Sequence, residues 1–220
     1  MSQPKENFFY FPQPNLQPLA FRMRPQKLED VVGQPHLTEE KGILNRIIKT
    51  GTLPSMIFWG PPGSGKTSTA LLITKQCGYQ MLSISAVASG VKDIKESVRI
   101  AEKNLADSKK TVFFIDEIHR FHKGQQSVLL PYVESGVVVL IGSTTENPSF
   151  EVIGPLLSRT QVIVFKKISN LELVKLLKTA IRSTSTAPAI LRAPLKAKVL
   201  KLLYAREWGQ GLCRNLMTPG

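Results

Sequence analysis

An α/β fold is predicted by the order of patterns along these 220 residues: a mostly parallel sheet covered by helices, then a smaller helical domain. Three observations support it. Short apolar runs of strand length, Met56–Trp59, Met81–Ile84, Thr111–Ile115, Val137–Ile141 and Val162–Phe165, alternate with segments of helical period. The first run breaks into Gly60-Pro61-Pro62-Gly63-Ser64-Gly65-Lys66-Thr67, a full match to G-x-x-x-x-G-K-[ST]. After Phe165 only helical patterns remain.

Taken in order, Met1–Pro18 is rich in Pro, Gln and Asn, carries the aromatics Phe8, Phe9, Tyr10 and Phe11, and has no period. It reads as a flexible arm over residues 1–18. Its aromatic cluster either anchors on a partner or, the preferred reading, folds back on its own domain. The core domain is placed at 19–166. Within it, Leu19–Leu37 precedes the first strand, and Val32, Gly33 and Gln34 are a candidate wall for a base. Thr38–Thr50 reads as an amphipathic helix (Ile43, Leu44, Ile47, Ile48) ended by Gly51. Helices are predicted at Ser68–Cys77, at Val91–Leu105 and at Gln125–Ser135. Thr111–Ile115 is apolar throughout, as a strand covered on both faces must be. The helical domain, 167–220, shows Leu171–Ile181 and Leu195–Ala205 separated by Ser183–Pro194. Two helices bury little, so this domain reads as incomplete and the chain as truncated.

Composition narrows the classes. With 42% hydrophobic and 20% charged residues, the chain can build one full core and a smaller appended domain. No apolar run is long enough to span a bilayer, and no basic segment followed by an apolar one marks a secretory signal. Cys77 and Cys213 lie far apart without metal-ligand spacing, and read as reduced thiols of a cytosolic protein. Charge is uneven. Residues 166–220 hold eleven basic against two acidic side chains, a net +9, while the other 165 residues hold 18 against 14, a net +4. Such an excess either favours a polyanion, most economically a nucleic-acid backbone, or forms a solvated basic face.

The glycine loop lies between a strand and a helix, the setting its chemistry needs. Gly63 and Gly65 allow backbone N–H groups to turn inward, and the following helix aims its positive end at the same place. Lys66 is placed to reach the β- and γ-phosphates of a nucleoside triphosphate, and Thr67 to offer its hydroxyl to Mg²⁺. About fifty residues on, Val112-Phe113-Phe114-Ile115 delivers Asp116 and Glu117 to the ligand edge of the sheet. Asp116 suits the Mg²⁺, and Glu117 the orientation or deprotonation of an attacking water. Gly142–Pro148 ends the fourth strand and supplies either a hydroxyl near the γ-phosphate or an ordinary Ser/Thr turn. Arg159 either pairs inside its own fold, with Glu146 or Glu151, or reaches a neighbour's nucleotide as an arginine finger.

Gly60–Thr67, Ile115-Asp116-Glu117, Thr144-Thr145 and Leu157-Ser158-Arg159 together resemble an AAA+ ATPase of the clamp-loader group. Further stretches resemble one branch of it, the replication-associated recombination protein A family with its eukaryotic Werner-helicase-interacting relatives. They include Gln17–Ala20, Arg22–Pro25, Val32–Leu37, Leu53–Ile57, Ser85–Val87, Ser89–Asp93, Asp116–Phe121 and Thr144–Phe150. The similarity runs from about Gln17 to Phe165. The resemblance implies a parallel five-stranded sheet of order 5-1-4-3-2 and a helical lid. It makes Val32, Gly33 and Gln34 the adenine wall and Thr145 the residue that senses the γ-phosphate, with Arg159 acting in trans within a homo-oligomer. It implies ATP and Mg²⁺ as ligands and hydrolysis at stalled or recombining replication forks. The implied partners are DNA with single-stranded ends or forks, and replication proteins such as single-stranded-DNA-binding protein or a sliding clamp, with no membrane. The implied location is the nucleoid-associated cytoplasm of a bacterium or a eukaryotic nucleus. An ATP-switched adaptor or a clamp-loader subunit with weak turnover is the alternative. Three departures stand out. The Gly-Asp-x-Arg of the lid is absent, its nearest counterpart being Gly209–Arg214; His122 replaces the family's usual Asn; and the tetramer-forming C-terminal domain is missing.

Overall fold

The computed structural model describes residues 19–86 and 89–183. The N-terminal arm, the second predicted lid helix and Arg214 lie outside them. Along the described chain run α1 (Leu19–Arg22), a 3-10 turn at Leu28–Asp30, α2 (Pro35–Thr38), α3 (Ile43–Thr50), β1 (Met56–Trp59), α4 (Lys66–Gln76) and β2 (Gln80–Ser85). Then come α5 (Val91–Ala106), β3 (Thr111–Asp116), a 3-10 turn at Ile118–Arg120, α6 (Lys123–Glu134) and β4 (Val138–Thr144). The series closes with α7 (Pro148–Glu151), α8 (Gly154–Leu157), β5 (Gln161–Val164) and α9 (Asn170–Ser183).

The five strands are parallel in the order β2-β3-β4-β1-β5, the order the resemblance implied. Strand alternation divides the side chains between two cores. Met56 and Phe58 of β1, Phe114 of β3 and Ile141 of β4 pack with Leu44 and Ile47 of α3 and Ala70 and Ile73 of α4. On the other face Ile57, Phe113, Ile115 and Leu140 pack with Ile94 and Val98 of α5, Leu129 of α6 and Leu156 of α8. Each such side chain, fully withdrawn from water, contributes about 1.5–3 kcal/mol, which explains why these strands are apolar in nearly every position.

Most predicted elements occur within a few residues of their expected bounds, and the differences have local causes. The helix expected from Thr38 starts instead at Ile43. A Cβ on Gly42 would lie 2.3 Å from the Leu37 carbonyl oxygen, so the chain folds back tightly there and only then begins a new helix. That helix ends where predicted, at Gly51 in the left-handed region (φ 65°). α6 starts at Lys123, before the predicted Gln125, because His122 caps it: His122 Nδ1 accepts the Gln125 N–H at 3.2 Å, and Gln125 Oε1 accepts the His122 N–H at 3.0 Å. His122 thus acts as a cap at the position where the resembled family usually carries Asn. α7 and α8 are single turns, too short to show a period, and were not predicted from sequence. The half-buried Cys77 thiol is pushed up in pKa by burial, as an unreactive structural cysteine is.

The described residues divide into two compact units between Ile168 and Ser169. In the second, α9 opens on a reciprocal cap. The Glu172 carboxylate accepts from Ser169 N–H at 2.8 Å and from Ser169 Oγ at 2.6 Å, bonds that hold its pKa below the ordinary carboxylate value. Among the described residues no helix is long and apolar enough to cross a membrane.

One backbone contact at the end of β1 yields a test. Gly60 N–H donates to Thr144 O at 3.2 Å, and a Cβ on Gly60 would meet Phe165 O at 2.3 Å and Phe165 Cβ at 2.8 Å. Gly60→Ala is expected to cost about 1–3 kcal/mol by overpacking. Thermal unfolding should then show a midpoint several degrees lower; an unchanged midpoint would mean that this junction yields freely.

Candidate functional site

The glycine loop follows β1 and passes directly into α4, whose first residues are Lys66 and Thr67. Gly63 (φ 73°) and Gly65 (φ 96°) both occupy the left-handed region. A Cβ on Gly63 would meet open space, so the glycine is required there by backbone conformation and not by crowding within the protein. Gly65 caps α4 without any side-chain hydrogen bond, which leaves the helix N-terminus to an outside acceptor. Pro62 and Gly63 are exposed, Pro61 and Thr67 half-buried, and Ser64 buried with an Oγ that has no hydrogen-bond partner.

Lys66 is buried, and its ammonium donates to Gly60 O at 2.6 Å and Pro61 O at 3.0 Å. Burial lowers its pKa, while the Glu117 and Asp116 carboxylates oppose the shift. That opposition places both carboxylates within electrostatic reach of the loop. They stand where predicted, at the C-terminal end of β3, with Asp116 exposed and Glu117 in a left-handed conformation (φ 54°).

Of Val32, Gly33 and Gln34, it is Gln34 that the fold holds against the loop. Gln34 is fully buried, its Nε2 donating to Ser64 O at 3.2 Å and Lys166 O at 2.7 Å, while its Oε1 accepts the Lys166 N–H at 2.9 Å. Its side-chain amide is therefore committed to the protein backbone. Its neighbours Val32 and Gly33 are half-buried.

Thr145 follows β4 directly and is half-buried. The residues just before it make the contacts that sequence reasoning missed. Ser143 Oγ donates to Asp116 Oδ1 and accepts the Glu117 N–H at 3.4 Å. Thr144 Oγ1 lies 3.1 Å from His119 Nδ1, and the same nitrogen lies 3.1 Å from Glu117 Oε2. The one sequence signal was the Glu-x-His spacing of 117 and 119, which a 3-10 turn folds back on itself.

Arg159 is not brought to the loop. It stands two residues before β5, and Gln161 N–H donates to Ser55 O ahead of β1, so the arginine lies at the end of the sheet opposite Gly60–Thr67. Its guanidinium pairs with Glu134 at 2.6 Å and donates to Pro155 O at 2.9 Å and Ser158 Oγ at 3.1 Å. The internal partner is Glu134, not Glu146 or Glu151. Both side chains of the pair are more than two-fifths exposed, so it contributes only about 0–1 kcal/mol and parts easily.

The arrangement fits a phosphate chain with its cation. It combines left-handed glycines, an uncapped helix N-terminus, a buried ammonium and an exposed carboxylate. Among the described residues no group of three or more His, Cys, Asp or Glu is arranged to hold a metal ion by itself. A cation here would take Thr67 and Asp116 together with the phosphates it accompanies, the usual manner of Mg²⁺.

The pattern of the ATPase family associated with various cellular activities (AAA) matches residues 56–168. A replication-associated recombination protein A from Haemophilus influenzae is 43% identical over 195 residues, 89% of this chain and 44% of that protein. One from Coxiella burnetii is 50% identical over 164 residues, 74% of this chain and 37% of that protein. The chain thus spans less than half the length of these relatives. Among solved structures, the RuvB Holliday junction branch migration motor of Thermotoga maritima superposes with a TM-score of 0.60 at 26% identity, over 74% of this chain and 55% of that one.

Proposed function

Since the chain belongs to the AAA family of ATPases, we propose that it binds ATP with Mg²⁺ and hydrolyses it while acting on DNA in replication-associated recombination and repair. The observation that carries this reading is the buried Lys66 ammonium, held by Gly60 and Pro61 carbonyls and facing Asp116 and Glu117. A phosphate chain would draw that ammonium from two neutral carbonyls to formal negative charge. In this reading Gly60, Pro61, Pro62, Gly63, Ser64 and Gly65 wrap the phosphates, the two prolines shaping the turn and the residues after them presenting backbone N–H groups, and Lys66 neutralises the β- and γ-oxygens. Thr67 and Asp116 hold the cation, which when bound spreads positive charge over those same oxygens. Glu117 orients or deprotonates the attacking water, Thr145 contacts the γ-phosphate, and Val32, Gly33 and Gln34 line the adenine. DNA with single-stranded ends or forks, and replication proteins such as single-stranded-DNA-binding protein or a sliding clamp, are the proposed partners. The similarity to replication-associated recombination proteins supports DNA as a partner.

A second reading, a nucleotide-switched adaptor with little turnover, is favoured by one observation. Arg159 lies at the end of the sheet away from its own loop, so a lone chain lacks that charge at its phosphates. Steady-state ATP hydrolysis with and without forked DNA separates the two. The expected result is stimulation by DNA, with DNA affinity falling steeply as salt rises, because Lys and Arg displace counterions from the backbone. A rate indifferent to DNA, with no salt-dependent binding, would leave the adaptor.

A further inference from the structure

Two carboxylates leave the end of β3, and each is met from the end of β4. Ser143 meets Asp116 directly. Thr144 meets Glu117 only through His119, whose Nδ1 is 3.1 Å from Thr144 Oγ1 and 3.1 Å from Glu117 Oε2. The position of the proton follows from charge. A bare ring nitrogen would point its lone pair at a carboxylate oxygen, which is repulsive, so Nδ1 carries the hydrogen. One N–H therefore faces two acceptors. Thr144 Oγ1 takes it, and that oxygen is itself fixed by accepting the Glu146 N–H at 3.0 Å while its own proton goes to Glu146 O at 3.2 Å. Glu117 Oε2 is buried and has no hydrogen bond, although a donor stands beside it. An acceptor left in that state is unfavourable, and Glu117 also holds a backbone conformation that non-glycine residues rarely adopt.

We propose that His119 is the positioning residue through which the end of β4 sets the Glu117 carboxylate. A shift of Thr144 passes the Nδ1–H to Glu117 Oε2 and fixes the carboxylate for its work on water. The inference rests on the reading of Glu117 as the group that orients the attacking water. The ring is suited to the task, since it is largely buried and the preceding Ile118 is fully buried in the core. Thr145, the next residue along the chain, is the proposed γ-phosphate contact, so the relay would link nucleotide state to the catalytic carboxylate.

The test has two arms. The chain has three histidines, so long-range proton–nitrogen imidazole spectra of the nucleotide-free protein can be assigned with the help of His119→Asn. His119 should show a protonated Nδ1 whose resonance moves in both Thr144→Val and Glu117→Gln. An unprotonated Nδ1, or one that ignores both changes, overturns the relay. In turnover, His119→Ala should lower kcat about 10- to 100-fold, the order lost when a reacting group is misplaced by about an ångström. KM for ATP should stay within about twofold, since ground-state binding is untouched. His119→Asn, whose amide places a donor near Nδ1, should recover most of the rate, and His119→Ala added to Glu117→Gln should cost nothing more. Wild-type kcat in His119→Ala, or Asn as slow as Ala, overturns the proposal. If instead Glu117→Gln keeps full turnover, the reading of Glu117 fails, while the resonance shifts still report the relay.

Discussion

Glu117→Gln should retain Mg²⁺-ATP binding and lose about 10²–10⁴ in turnover, whereas Lys66→Ala should lose the nucleotide itself. The two residues face each other across the end of the sheet but act at different moments. Lys66 is a buried ammonium held by neutral carbonyls at 2.6 and 3.0 Å, and it gains a stronger partner as soon as phosphate arrives. It therefore acts on ground-state binding. In the proposed role Glu117 adds no attraction for the phosphates and acts as water attacks. Equilibrium binding of a fluorescent ATP analogue together with single-turnover hydrolysis separates the two. Equal loss of affinity in both variants would contradict this division of roles. The pH response follows from burial. Because the Lys66 pKa is lowered, its proton leaves earlier than that of an ordinary lysine as pH rises. Affinity should accordingly weaken on the alkaline side, and Lys66→Arg, which stays charged, should not show that weakening.

The second large effect is expected at Arg159, across a boundary between chains. Phosphoryl transfer spreads negative charge over the γ-oxygens, and Lys66 with its cation supplies only part of the compensation. Removing an arginine finger costs about 10³–10⁵ in turnover. Arg159 lies at the opposite end of the sheet from its own loop and is exposed, held by a weak pair with Glu134 and by hydrogen bonds to Pro155 O and Ser158 Oγ. Dilute protein, shown to be monomeric by light scattering, should therefore bind Mg²⁺-ATP yet hydrolyse it slowly. Adding Glu117→Gln chains, dead in their own site but with Arg159 intact, should raise the rate of wild-type chains. The same additive with Arg159→Ala should not. Glu134→Ala serves as the control for the internal pair: it removes the ion pair and should leave the stimulation in place. Brisk turnover by monomers, unchanged in Arg159→Ala, would make Arg159 a structural partner of Glu134 and nothing more.

The elements and the phosphate loop were legible in the sequence because the physics that sets them is local. Four apolar residues at Met56–Trp59, followed at once by the glycine loop, read as a buried strand, and glycines at 63 and 65 permit the left-handed turns the loop requires. Val91–Ala106 shows its buried face as a period, with Ile94, Val98 and Ala101 in the core. Periodicity alone indicated parallel strands, but their order came from resemblance, since nothing in an apolar run says which neighbour it will pair with. What only the tertiary structure decided is the partner of each polar side chain. Nothing in the sequence indicates that the Gln34 amide meets the Ser64 and Lys166 carbonyls. Arg159 reads either as an internal partner for Glu146 or Glu151 or as a finger in trans, and it is α6 that supplies Glu134 as the internal partner. His119 shows no more in the sequence than a spacing of two from Glu117, and its meeting with Thr144 spans 25 residues of chain. Hydrogen bonds and ion pairs act over about 3 Å and depend on direction. Side chains distant in sequence reach that range only after the strands are in register, so the sequence determines which groups are present and the packed sheet determines which of them meet.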